Sequence, residues 1–115
     1  MSSQLTTLVP VFDGTNYKEW STLMQSYLMA QGRWYLIQDR EDAPVKPVAT
    51  ARQAVDSDKM EEWKEWKHDT TKALGEINLR LAPSVRNLVM SIGNVGELWD
   101  KLKNDYGKVG LTGIF

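Results

Sequence analysis

Apolar residues along this chain recur in four stripes of helical period, separated by glycine, proline and polar stretches. From Tyr17 they fall at Trp20, Leu23, Met24, Tyr27 and Leu28, steps of three and four that place them on one helical face. Thr15 or Asn16 is positioned to cap the start of that helix and Gly32 to stop it. Trp34, Leu36 and Ile37 follow as a short apolar return. Trp63, Trp66, Thr70, Ala73, Leu74, Ile77 and Leu81 make the second stripe, which predicts the longest helix, beginning at Ser57 or at Asp58 with Glu61 in capping-box register. Its polar side carries Glu61, Glu65, His68, Asp69, Lys72 and Glu76. A short third helix is expected from Pro83 or Ser84 through Leu88, Val89 and Ile92. The fourth runs through Leu98, Trp99, Leu102 and Tyr106, opened by Asn94 with Glu97 three residues on and ended by Gly107.

Outside these stripes, "LVPVF" at residues 8–12 is apolar, but Pro10 cannot donate to a ladder, so an extended arm or edge strand is expected. The organisation predicted is an extended arm over residues 1–14, a helical domain over 15–107 with a polar connector at 38–56, and a tail at 108–115 that reads as the start of a linker into a further segment. The fold class is all-α, a small bundle of about four helices.

Charge narrows the function. Fourteen Lys+Arg face fifteen Asp+Glu, so the formal net charge of −1 gives no general attraction to phosphate backbones or anionic lipid. With no cysteine there is no disulfide framework, thiolate metal site or thiol nucleophile. No apolar run approaches a membrane span and "MSSQLTT" has no secretion-signal pattern, so a cytoplasmic or nuclear location away from membranes is expected.

The inventory for catalysis is thin. His68, the single histidine, could join Glu61 and Glu65 as a metal site, but three residues on one charged helix face read first as solvated surface. Glu61, Glu62 and Glu65 read the same way rather than as an acid/base pair. "GNVG" at 93–96 lacks the P-loop lysine and is expected to be a turn. Arg33, Trp34 and Tyr35 could stack on a base but more simply seal one end of the core. No enzyme activity, cofactor or metal is expected. Met29 and Leu79 fall on the polar sides of their helices and, with Leu111, Ile114 and Phe115 in the tail, are candidate interface positions.

Three stretches in order, "FDGTNYKEW", "LGEINLRLAPSVRNLV" and "ELWDKLKNDYG", resemble the N-terminal part of the Gag polyprotein of copia-type LTR retrotransposons. The shared pattern falls on Phe12, Gly14, Asn16, Tyr17, Trp20 and Met24, then on Trp63, and finally on Leu98, Trp99, Asp100, Leu102 and Tyr106. The resemblance implies a domain similar to a retroviral capsid N-terminal domain, which self-associates during assembly of the element's virus-like particle. It further implies homo-oligomerisation, weak for the isolated domain, with RNA bound only through basic or zinc-knuckle segments that these residues do not contain. The alternative is a domesticated adaptor that binds a host protein or peptide.

Overall fold

Among residues 7–108, the part of the chain that the computed structural model describes, the regular structure is five α-helices and one 3-10 turn. In chain order they are α1 (Tyr17–Ala30), α2 (Tyr35–Gln38), the 3-10 turn Arg40–Asp42, α3 (Ser57–Leu79), α4 (Pro83–Val89) and α5 (Val95–Tyr106). The all-α expectation holds. The element added to the four stripes is α2, a single turn wound from the short apolar return, with Leu36 and Ile37 buried. None of these helices is long and apolar enough to cross a membrane.

The arm lies on its own chain. Phe12 N–H donates to the Arg80 carbonyl at 2.8 Å and Ala82 N–H to the Phe12 carbonyl at 2.8 Å, a one-residue parallel bridge between the arm and the α3–α4 junction. Alternation then sends Phe12 inward, fully buried, and leaves Val11 exposed. Asp13–Asn16 turn the chain into α1: the Asp13 carboxylate accepts from Thr15 N–H and Thr15 Oγ1, while Gly14 takes φ +98°. Asn16 holds the N-cap position, but its amide does not cap. Its Oδ1 accepts from Asp13 N–H and its Nδ2 donates to the Val11 carbonyl, so the side chain ties the arm to the turn.

Helix ends elsewhere follow local chemistry. Past Ala30, Gly32 adopts φ +73°, Gly32 N–H returns to the Met29 carbonyl and Arg33 N–H to the Leu28 carbonyl, the paired bonds of a Schellman stop. A Cβ at Gly32 would meet nothing within 4 Å. Gly32→Ala is therefore expected to cost only the conformational penalty of a left-handed alanine, about 1–2 kcal/mol, read as a lowered thermal midpoint with unchanged helix content. Gly107 also ends its helix, but at φ −67°, without the left-handed turn.

α3 starts at Ser57, one of the two expected positions, and is capped by Asp56, whose carboxylate accepts from Asp58 and Lys59 N–H. Asp58 then sits in the first turn, where a negative charge suits the helix dipole. Pro83 occupies the first turn of α4, and Asn94 caps α5 by accepting from Glu97 N–H at 2.9 Å.

The core is sewn from the arm and every α-helix: Phe12, Trp20, Met24, Leu28, Ile77, Leu81, Val89, Leu98 and Leu102 are its largest fully buried side chains, and α2 adds Leu36 and Ile37. Three stripe members depart from it, and Leu23 of α1 is one, exposed where it lines a cleft with Leu8 of the arm. Leu88 is exposed, because one side of the two-turn α4 suffices to seat Val85 and Val89. Trp63 is only half-buried, outside the core, with the Lys46 ammonium 5.0 Å from the centre of its ring. Helix length explains this: at 1.5 Å per residue α3 reaches about 34 Å and α1 only about 21 Å, and no residue of α3 before Thr70 is fully buried.

Candidate interaction surface

Two motifs that lie at opposite ends of the chain meet in one aromatic cluster. Phe12 stands edge-on to Tyr17 and to Tyr106, with centroids 5.7 and 4.9 Å away, and lies 5.3 Å from Trp20. Trp20 stacks on Trp99 at 5.7 Å, and Trp99 takes the edge of Trp34 at 5.2 Å. The rings of "FDGTNYKEW" and "ELWDKLKNDYG" are thus spent on each other, and Gly14 lies against Tyr106. The Trp20 indole N–H is buried with no acceptor among the described residues. Of the motif's aromatic residues, Trp63 alone lies away from this cluster and from the core that holds Met24, Leu98 and Leu102.

Around the cluster, charged side chains that read as solvated surface act as ties. The Glu76 carboxylate accepts from Arg33 Nε at 2.8 Å and Nη2 at 2.7 Å, and also from the Tyr27 hydroxyl. Only 12% and 15% of the two charged side chains remain accessible, and the hydrogen bond to Glu76 raises the Arg33 pKa. Tyr35 likewise donates to Asp69. A signal for Glu76 existed in the pattern: it lies between Ala73 and Ile77, at the margin of a buried face. Arg86 reaches from α4 to the Asn78 and Leu81 carbonyls, satisfying the C-terminal end of α3. Arg33, Trp34 and Tyr35 are accordingly committed within the fold.

The polar connector is not polar surface throughout. Arg40 leaves the 3-10 turn to pair with Asp100 of α5 through Nη1 at 2.6 Å and Nη2 at 3.1 Å, and donates to the Ile37 and Gly96 carbonyls. The Arg40 hydrogen bond lowers the Asp100 pKa below its ordinary 3.8. A depressed carboxyl stabilises the fold fully above that pH, and its contribution disappears as pH falls through the folded value. Both side chains are substantially exposed, so the contribution is small, under about 1 kcal/mol. Asp100→Asn is expected to lower the thermal midpoint slightly at pH 6 and to leave it equal to the parent chain at pH 2, a comparison that calorimetry makes directly.

Among the described residues no group of His, Cys, Asp or Glu is arranged to hold a metal ion, and His68 is exposed. The uncovered features are apolar. Met29 and Leu79 are both exposed, as are Leu8, Val11, Leu23, Leu88 and Met90. Leu111, Ile114 and Phe115 lie outside the described residues. Leu8 and Val9 of the arm, with Leu23, Ser26, Tyr27 and Ala30 of α1, line a cleft of about 170 Å³. Val11 and Leu79 each adjoin a residue of the arm bridge, Phe12 and Arg80.

No curated protein and no solved structure matches the chain. Residues 12–34 match a family described as a domain of unknown function, DUF4219, which is found in retrotransposon Gag-like (copia-type) proteins. The match opens on Phe12 and closes on Trp34, two rings of the aromatic cluster, so it covers the arm bridge, the Asp13–Asn16 turn, α1 and its Schellman stop; over that segment the chain is similar to this family.

Proposed function

We propose that this chain is a structural, capsid-like Gag domain of the copia type, whose work is to associate with copies of itself during particle assembly in the cytoplasm. The observation that carries the reading is the set of uncovered apolar residues: the cleft between Leu8–Val9 and α1, which Leu23 lines, Met29 on another side of α1, and Val11 and Leu79, which adjoin the bridge in sequence. The similarity over residues 12–34 supplies the class of protein. The clustered rings and the Arg33–Glu76 pair are spent inside the fold, and the uncovered apolar residues supply the means of association. A patch of this kind suits a self-complementary two-fold contact, small enough that the isolated domain associates weakly. Catalysis and RNA capture have no part in the reading.

Light scattering over a wide concentration range tests it. The apparent mass should rise with concentration, and Met29→Ser combined with Leu79→Ser should return it to the monomer value while circular dichroism stays unchanged. A chain that stays monomeric at its solubility limit sinks the proposal, as does association indifferent to both substitutions.

A further inference from the structure

A small recess opens where the 3-10 turn faces the middle of α3 and the start of α5. It holds about 50 Å³, more than the roughly 30 Å³ that one water occupies in the liquid, and Arg40, Trp66, Lys67, Thr70, Asn94 and Val95 stand on its wall. Among the described residues, no carboxylate lines it.

The wall is rich in donors that lack acceptors. Thr70 is 3% exposed and its hydroxyl has no partner, a costly state for a buried polar group. At the start of α5, Asn94 Oδ1 takes the Glu97 N–H and the Asn94 carbonyl takes the Leu98 N–H, which leaves the Val95 and Gly96 amides without acceptors among the described residues. Lys67 lies one turn before Thr70 on the same side of α3, exposed and without an ion pair among the described residues.

Arg40 contributes shape more than charge. Its guanidinium is paired with Asp100, and a methyl placed on Gly96 would come within 3.0 Å of Nη1 and 3.2 Å of Asn94 Oδ1, so the guanidinium and the capping amide close over the first turn of α5. The unanswered positive charge at the recess is therefore the Lys67 ammonium, with the partial charge at the N-terminus of the 12-residue α5 beside it.

We propose that this recess binds a single carboxylate group. Its oxygens accept from Thr70 Oγ1 and Val95 N–H inside and from the Lys67 ammonium at the mouth, and its apolar stem packs on Trp66. Asp39, Asp42, Glu62, Glu65 and Asp69 line the neighbouring cleft, and their repulsion grows with the charge of the guest, which selects a monoanion over a dianion. The site is independent of self-association, because it shares no residue with the apolar cleft along the arm.

Amide NMR of the full chain at constant ionic strength tests this, with titrations of acetate, of acetyl-Gly-Glu-Gly-amide and its Gln counterpart, and of sulfate. Acetate should give saturable shifts centred on Thr70, Val95 and Gly96, with sulfate and the Gln peptide weaker by about tenfold or more. Saturation by the Glu peptide as well supports an acidic side chain of a partner as the source of the carboxylate, and saturation by acetate alone supports a small free acid. Lys67→Met should weaken acetate binding by about three- to tenfold. Thr70→Val should weaken it by a similar factor while leaving the thermal midpoint equal or higher, because the hydroxyl it removes has no partner in the fold. Shifts that rise without saturation, sulfate binding as tightly as acetate, or full acetate affinity in both variants would each overturn the proposal.

Discussion

Trp20→Ala is expected to cost about 3–5 kcal/mol, the range for removing a large aromatic from a packed core, and to leave the chain close to its unfolding threshold. The indole is fully buried and has Phe12 on one side and Trp99 on the other, so a single ring joins the arm, α1 and α5. Its loss removes one of the two ring contacts that join the ends of the domain and leaves Phe12 on Tyr106 as the other. Trp20→Phe should behave very differently. The smaller ring leaves a void, but it also removes an indole N–H that has no acceptor, and a buried unsatisfied donor costs about 1–3 kcal/mol. The two effects oppose, and the expected net change is within about 1 kcal/mol of the parent. Urea unfolding followed by far-UV circular dichroism measures both. A Trp20→Phe variant as unstable as Trp20→Ala would show that the indole N–H is satisfied.

That asymmetry marks how far the pattern of the chain could be followed. The stripes of α1 and α5 are legible because each helix buries one face against a continuous core, so Trp20, Met24 and Leu28 are buried on one helix and Leu98, Trp99 and Leu102 on the other. Periodicity stops being informative where a helix outruns its neighbours or has little to cover. Trp63 keeps the spacing of its stripe on a turn of α3 that nothing in the core reaches, and Leu88 lies on a two-turn helix already seated by Val85 and Val89.

Local hydrogen bonding was readable when the partners were close in sequence, as with Asn94 and Glu97. Where competing partners were available it was not: Asn16 gave its amide to the arm instead of the helix, and Asp56 reached two amides before Ser57 or Asp58 could cap. Ties between distant residues lay beyond reach. Arg33 meets Glu76 across 43 positions and Arg40 meets Asp100 across 60, and a single chain carries no signal that pairs such charges.

Glu76→Ala should be the second most damaging single change, at about 2–4 kcal/mol, toward the lower part of the range for breaking a buried pair because both side chains keep a little solvent contact. Its carboxylate answers both Arg33 donors and the Tyr27 hydroxyl, so removing it strands a guanidinium and a phenol in a largely dry corner. Arg33→Met alone should cost less, since Glu76 would keep Tyr27 and can reach water. The combined variant Arg33→Met, Glu76→Leu, Tyr27→Phe removes every polar member together and should recover to within about 1 kcal/mol of the parent, because an apolar replacement avoids the desolvation that the pair itself incurs. A double-mutant cycle on Arg33 and Glu76 isolates their coupling. The clamp matters for assembly as well as for stability, because Tyr27 lines the apolar cleft. If α1 must be held rigid to present that surface, Glu76→Ala should weaken self-association below its midpoint temperature, while the apolar triple variant should restore it. Association that survives in Glu76→Ala at full strength would place the contact surface elsewhere than on the C-terminal half of α1.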